Sequence, residues 1–164
     1  MNTLKLIEYS QFLRHKYLET ISKLPWEDIV KDRGASFPSL RDIYLHTVFV
    51  VDAYFNYVLQ GNPNYPGIDY NEYDNIEKIT KYLEQVESKA NSYLSKVTPA
   101  ELARKIERKK KDGSAFYLSV EDLLLDFFQE ETHHRGELMA LLWQMDVEPP
   151  HTGFIQFVRS EARK

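Results

Sequence analysis

SVEDLLLDFFQEETHHRGELMALLWQM, residues 119–145, carries both a helix-starting pattern and a long apolar period. Ser119 with Asp122 three residues on is a helix-starting pattern, in which the hydroxyl accepts a bond from a free backbone N–H and the acidic side chain reaches back. From there Val120, Leu124, Phe127, Leu138 and Met145 recur near a 3.6-residue period, each residue turning the helix by about 100°. One long amphipathic helix with a single apolar stripe is therefore expected, ending about Met145 ahead of Pro149-Pro150. A short C-terminal segment around Phe154 to Arg159 is expected to pack across one end.

The same period appears upstream. Ile7, Phe12, Leu13, Tyr17, Ile21 and Leu24 predict a first helix over Leu4 to Leu24, stopped by Pro25. Trp26 to Pro38 reads as loop. Ser39 and Asp42 repeat the capping pattern and open a second helix to about Gln60, striped by Ile43, Val50, Tyr54 and Val58. Gly61 to Tyr73 carries Pro63, Pro66 and Gly67 among Asn and Tyr, the chemistry of a loop and the longest connection in the chain. A third helix is expected from Asn75 to Val97 on Ile79, Tyr82, Leu83, Val86, Tyr93 and Leu94. Thr98-Pro99-Ala100-Glu101 caps a short turn, and Leu102 to Leu118 reads as a two-stranded hairpin about Asp112-Gly113. Four long helices predict an all-α four-helix bundle, one domain over residues 1–164, whose long connection allows a crossover between the second and third helices.

Composition agrees with a folded domain of this size. With 43% hydrophobic residues in 164, the chain can bury enough apolar surface to offset its conformational entropy. The absence of cysteine removes disulfides and thiolate ligands, so any metal must be held by nitrogen and oxygen. A net charge of -4 argues against nucleic-acid binding. The one basic run, Arg108 to Lys111, leads into Asp112-Gly113 and is explained by a solvated turn. No run approaches the roughly 20 apolar residues that cross a bilayer, and the first residues show no leader pattern. No membrane partner and a cytoplasmic location are expected.

The candidate chemistry sits on the fourth helix. Glu130 and His134 are neighbours at i and i+4, a spacing that lets two side chains converge on one ion. His46 lies about 60° from the second helix's stripe and is placed to face the same groove. Two imidazoles and a carboxylate suit zinc, nickel, iron or manganese. The plainer reading of each is a hydrogen-bonded structural histidine or a surface pair. Asp126, one turn earlier, is an alternative ligand to Glu130. Glu131, with Arg135 four residues on, reads as an intrahelical ion pair or as a proton-transfer group. Tyr44, Phe49, Trp143 and the tyrosines of residues 65–73 are candidate substrate walls or core packing. His151, after the prolines, is expected to stay off the metal.

Residues 130–138, EETHHRGEL, resemble the signature HETHHRGQL of DinB/YfiT-like proteins, and Ser36 to His46, SFPSLRDIYLH, is similar to that family's second-helix start. The resemblance covers nearly the whole chain and implies an up-down-down-up bundle, often dimeric, with three histidines on a divalent ion. His46 and His134 match two of them; Glu130 stands where the family has the third. That change keeps a ligand, adds a negative charge and alters metal preference. The resemblance further implies a metal-dependent hydrolase or a transferase using a low-molecular-weight thiol, acting on a small-molecule substrate. The competing expectation is a non-catalytic helical dimer that binds a metal or small molecule in a stress response.

Overall fold

A computed structural model describes residues 3–62 and 64–162. Among the described residues the chain forms seven α-helices and one two-stranded sheet. The long helices are α1 (Thr3–Ile21), α3 (Leu40–Asn56), α4 (Ile76–Leu94) and α6 (Val120–Gln144). Helix α3 is central and packs on α4, α6 and α1, while α1 also packs on α6. Among the described residues no helix is long and apolar enough to cross a membrane.

Local chemistry explains most boundaries. Ser119 accepts from the Asp122 N–H and the Asp122 carboxylate accepts from the Ser119 N–H at 2.8 Å, the full capping box that starts α6. At α3 only half of that pattern forms. Ser39 caps Asp42, but the Asp42 carboxylate turns to Arg41 Nε at 2.8 Å because the guanidinium offers a charge-assisted bond. Helix α3 also stops at Asn56, short of the expected Gln60, and the chain tightens into a 3₁₀ turn over Val58–Gln60.

The expected loop after Pro25 contains a short helix, α2 (Trp26–Val30), missed because its five residues are too few to show a period. It is held by Ile29, whose side chain is completely buried. A second 3₁₀ turn, Tyr70–Glu72, lies in the long connection, where the Asp69 side chain accepts from the Asn71 N–H. Helix α5 (Pro99–Ala103) follows the Thr98 cap. Strands β1 (Lys105–Lys109) and β2 (Ala115–Ser119) pair antiparallel with Ile106 opposite Leu118. Gly113 sits at φ 84° in their turn, a left-handed conformation that a side chain would strain.

The main core gathers Ile43, Leu45, Val48, Ile79, Leu83, Phe127 and Leu138 with residues from the other helices. Each such side chain stabilises the fold by about 1.5–3 kcal/mol relative to exposure. A smaller cluster of Tyr9, Leu13 and Phe157 docks α7 (Phe154–Glu161) on α1. Charge also crosses the interior. Arg14 of α1 reaches Glu131 of α6 at 2.5 Å and Glu87 of α4 at 3.0 Å, with all three residues buried. His15 adds a 2.7 Å contact to Glu87, so one ionic cluster ties three helices together.

Candidate metal centre

His46 of α3 and His134 of α6 meet edge to face, with ring centroids 4.5 Å apart and planes at 83°. Phe37, from the segment between α2 and α3, packs against both rings at 4.5 and 5.6 Å. That segment is anchored at its other side, where Ser36 donates a short hydrogen bond to Glu137. Helix α6 supplies the rest because its period puts residues 130, 134 and 137 along one edge. Glu130 Oε2 lies 3.7 Å from His134 Nε2, and Glu137 Oε2 lies 2.8 Å from His134 Nδ1.

Each imidazole thus has one nitrogen engaged. Glu137 fixes the His134 ring through Nδ1 and leaves Nε2 directed toward Glu130. The Tyr70 hydroxyl lies 3.5 Å from His46 Nδ1, which leaves His46 Nε2 as its second donor atom. Burial, reinforced by the neighbouring His134 and partly countered by Glu137, pushes the His46 pKa down to about 4. The ring is therefore neutral near pH 7, the form that ligates a metal. Burial works against the Glu137 carboxylate, but bonds from Ser36 and His134 outweigh it and hold its pKa below the usual range.

One pair of this set, Glu130 and His134, has the spacing of ligands on one ion. Two ligand atoms on one tetrahedral zinc stand roughly 3.3 Å apart, close to the 3.7 Å between Glu130 and His134. The carboxylate on the far nitrogen of His134 is the usual companion of a metal-bound imidazole. Among the described residues, the group of three whose ligand atoms all lie within 4.8 Å of one another is His133, His134 and Glu137, a His/Glu cluster compatible with metal binding; His46 and Glu130 are not part of it. In it His133 is exposed, and its Nε2 is 3.9 Å from Glu137 Oε1.

The remaining sequence candidates fall elsewhere. Asp126 accepts a hydrogen bond from Tyr54 at 2.5 Å. Glu131 is buried against Arg14 and lies 3.7 Å from Arg135, so its ionic partners are arginines of the interior. His151 caps the Gly153 N–H and contacts Gln156. Tyr44 is buried and bonds the Arg14 carbonyl, which makes it core. Phe49 and Tyr65 do continue the aromatic surface from His46, at 6.2 and then 5.8 Å between centroids, whereas Trp143 is exposed. Sequence reasoning missed Glu137, Phe37 and Ser36 as parts of the centre. The i, i+3 spacing of His134 and Glu137 was a visible signal for the first.

The chain resembles solved structures of low sequence identity. A conserved protein from Enterococcus faecalis matches with a TM-score of 0.64 at 12% identity, over 86% of this chain and 95% of its own. A DinB-like protein from Bacillus subtilis matches with a TM-score of 0.62 at 20% identity, over 90% of this chain and 96% of its own. No curated protein sequence matches significantly. The DinB family model matches residues 1–164, and the chain belongs to the DinB family.

Proposed function

We propose that this DinB-family chain holds one divalent ion with His46, Glu130 and His134 and serves as a metal-dependent hydrolase or a transferase using a low-molecular-weight thiol. The observation that carries this reading is the convergence of His46 and His134 from two helices, with Glu137 on the rear nitrogen of His134. The His133 grouping leaves His46 without a role although its ring meets that of His134, which is why His46 is preferred. An ion on three protein ligands keeps a position for water or thiol and lowers its pKa toward neutrality.

The protein's own groups then have separate tasks. Glu137 and Ser36 set the His134 ring, and Phe37 shields both imidazoles from bulk water. Glu130 is about half exposed on its side chain, so it borders the open side where a substrate arrives. We assign Glu131 to holding Arg14, since its short contact is to that cation. The wider reading is one domain over residues 1–164, folded as an up-down-down-up four-helix bundle and paired as a homodimer. Support for pairing comes from the family resemblance of residues 130–138, which implies a dimer. Sedimentation showing only monomer at micromolar concentration would reject the dimer.

The functional test is access to the ion. Cobalt(II)-loaded protein titrated with 2-mercaptoethanol should develop a thiolate charge-transfer band, equally in His151→Ala. A spectrum unmoved by both 2-mercaptoethanol and azide would show a closed, structural ion and remove the basis for catalysis.

A further inference from the structure

On the flank of α6 that carries Arg135, between α1, α6 and the segment before α7, lies a cavity of about 410 Å³. That volume falls within the usual range for small-molecule pockets, about 300–1,000 Å³. Tyr9, Tyr17, Phe128 and Met139 give it apolar walls, and Arg135 is the charged residue in its lining. The Arg135 guanidinium lies 5.8 Å from the Tyr9 ring centroid and 5.7 Å from that of Phe128. Its hydrogen bonds go to hydroxyls: Nη1 to Ser10 at 3.1 Å and Nη2 to Thr132 at 2.8 Å.

The charge balance around it is uneven. The nearest carboxylate oxygen, Glu131 Oε2, is 3.7 Å from Arg135 and already takes Arg14 at 2.5 Å. Arg14 also holds Glu87, so the two buried carboxylates serve one arginine first. Arg135 is left as a buried cation, 7% exposed, satisfied mainly by neutral oxygens. A buried cation gains from a close, hydrogen-bonded anion much more than an exposed one does.

We infer that this cavity is a binding site for a small amphipathic monocarboxylate, its apolar body against Tyr9, Phe128 and Met139 and its carboxylate on Arg135. The site is separate from the metal reading and does not depend on it. Gly136 lines the mouth, and a Cβ built there meets nothing within 4 Å, so a side chain can be added without disturbing the ionic cluster.

The test compares octanoate, 1-octanol and octylammonium, which share a tail and differ in head group. Titration followed by the Met139 methyl NMR signal should show saturable octanoate binding about tenfold tighter than 1-octanol, with octylammonium weaker still. Gly136→Phe should abolish octanoate binding while remaining folded, since replacing a helical glycine favours the helix. His46→Ala and His134→Ala should leave it unchanged, separating this site from carboxylate capture by a metal. Arg135→Leu should erase the preference for octanoate over octanol if that variant folds. Equal binding of the three probes, binding that survives Gly136→Phe, or binding lost with the two histidines would overturn the assignment.

Discussion

Replacing Arg14 with methionine keeps much of the side chain's volume and removes the charge that holds two buried carboxylates. In the native protein Arg14 meets Glu131 at 2.5 Å and Glu87 at 3.0 Å, with neither acid in contact with bulk water to any useful extent. Removing one partner from a buried pair costs about 3–5 kcal/mol, because the desolvated charge left behind has lost its compensation. For a domain of this length about 1 kcal/mol corresponds to roughly 2–4 °C, so Arg14→Met should melt roughly 6–20 °C below wild type at pH 7. The deficit should shrink on acidification. Burial raises the Glu87 pKa, but the His15 bond and the Arg14 charge outweigh that and leave it below its ordinary value. Burial keeps the Glu131 pKa above its ordinary value, with Arg14 and Arg135 only partly offsetting it.

Without Arg14 both folded-state values rise. A carboxyl with a raised folded pKa costs stability above that pKa, and the cost disappears as pH falls toward the unfolded value. Calorimetry of both proteins at pH 7 and pH 5 should therefore give a smaller gap at pH 5. A gap below about 1 kcal/mol at pH 7, or one that does not narrow with acid, would refute the claim that Arg14 compensates buried anions.

Two further outcomes follow from named contacts. His15 has its pKa raised chiefly by the hydrogen bond to Glu87, with burial opposing, so its contribution is present below the ordinary histidine pKa and lost as pH rises through the folded value. His15→Gln should therefore cost more stability at pH 6 than at pH 9, by at most about 1 kcal/mol for so exposed a ring; equal cost at both would reject the charge contribution. Glu137→Gln should weaken metal affinity about 10–100-fold through loss of the carboxylate on His134 Nδ1, with little loss of fold, as read by competition with a chelating dye; unchanged affinity would remove Glu137 from the centre.

The long helices were readable because their apolar residues repeat where packing demands it, and Ser119 and Asp122 marked the start of α6 without tertiary help. The interior charges were harder to read. Arg14 stands with Ile7, Ser10, Tyr17 and Ile21 on one buried line of α1, but a polar residue there carries no sign of which distant carboxylate it meets. On α6, Glu131, His134 and Arg135 lie in the buried stripe itself, where an apolar pattern read alone shows only a gap between Phe127 and Leu138. His46 and His134 were legible as a pair once the helices were placed; Phe37 and Ser36 were not, since residues of an irregular segment take their positions from what they pack against. Helix α2 was hidden for a related reason, its one buried anchor being Ile29.

Metal content reads the three-ligand centre directly. Elemental analysis after loading with zinc, nickel, iron(II) or manganese and dialysis should give about one ion per chain for the wild type, the number a single three-ligand centre holds. His46→Ala and His134→Ala should each lose it, Glu130→Ala should bind far more weakly, Glu130→His should bind with a changed metal preference, and His133→Ala should bind as wild type. Retention of the ion in His46→Ala together with its loss in His133→Ala would overturn the His46 centre and place the metal on His133, His134 and Glu137.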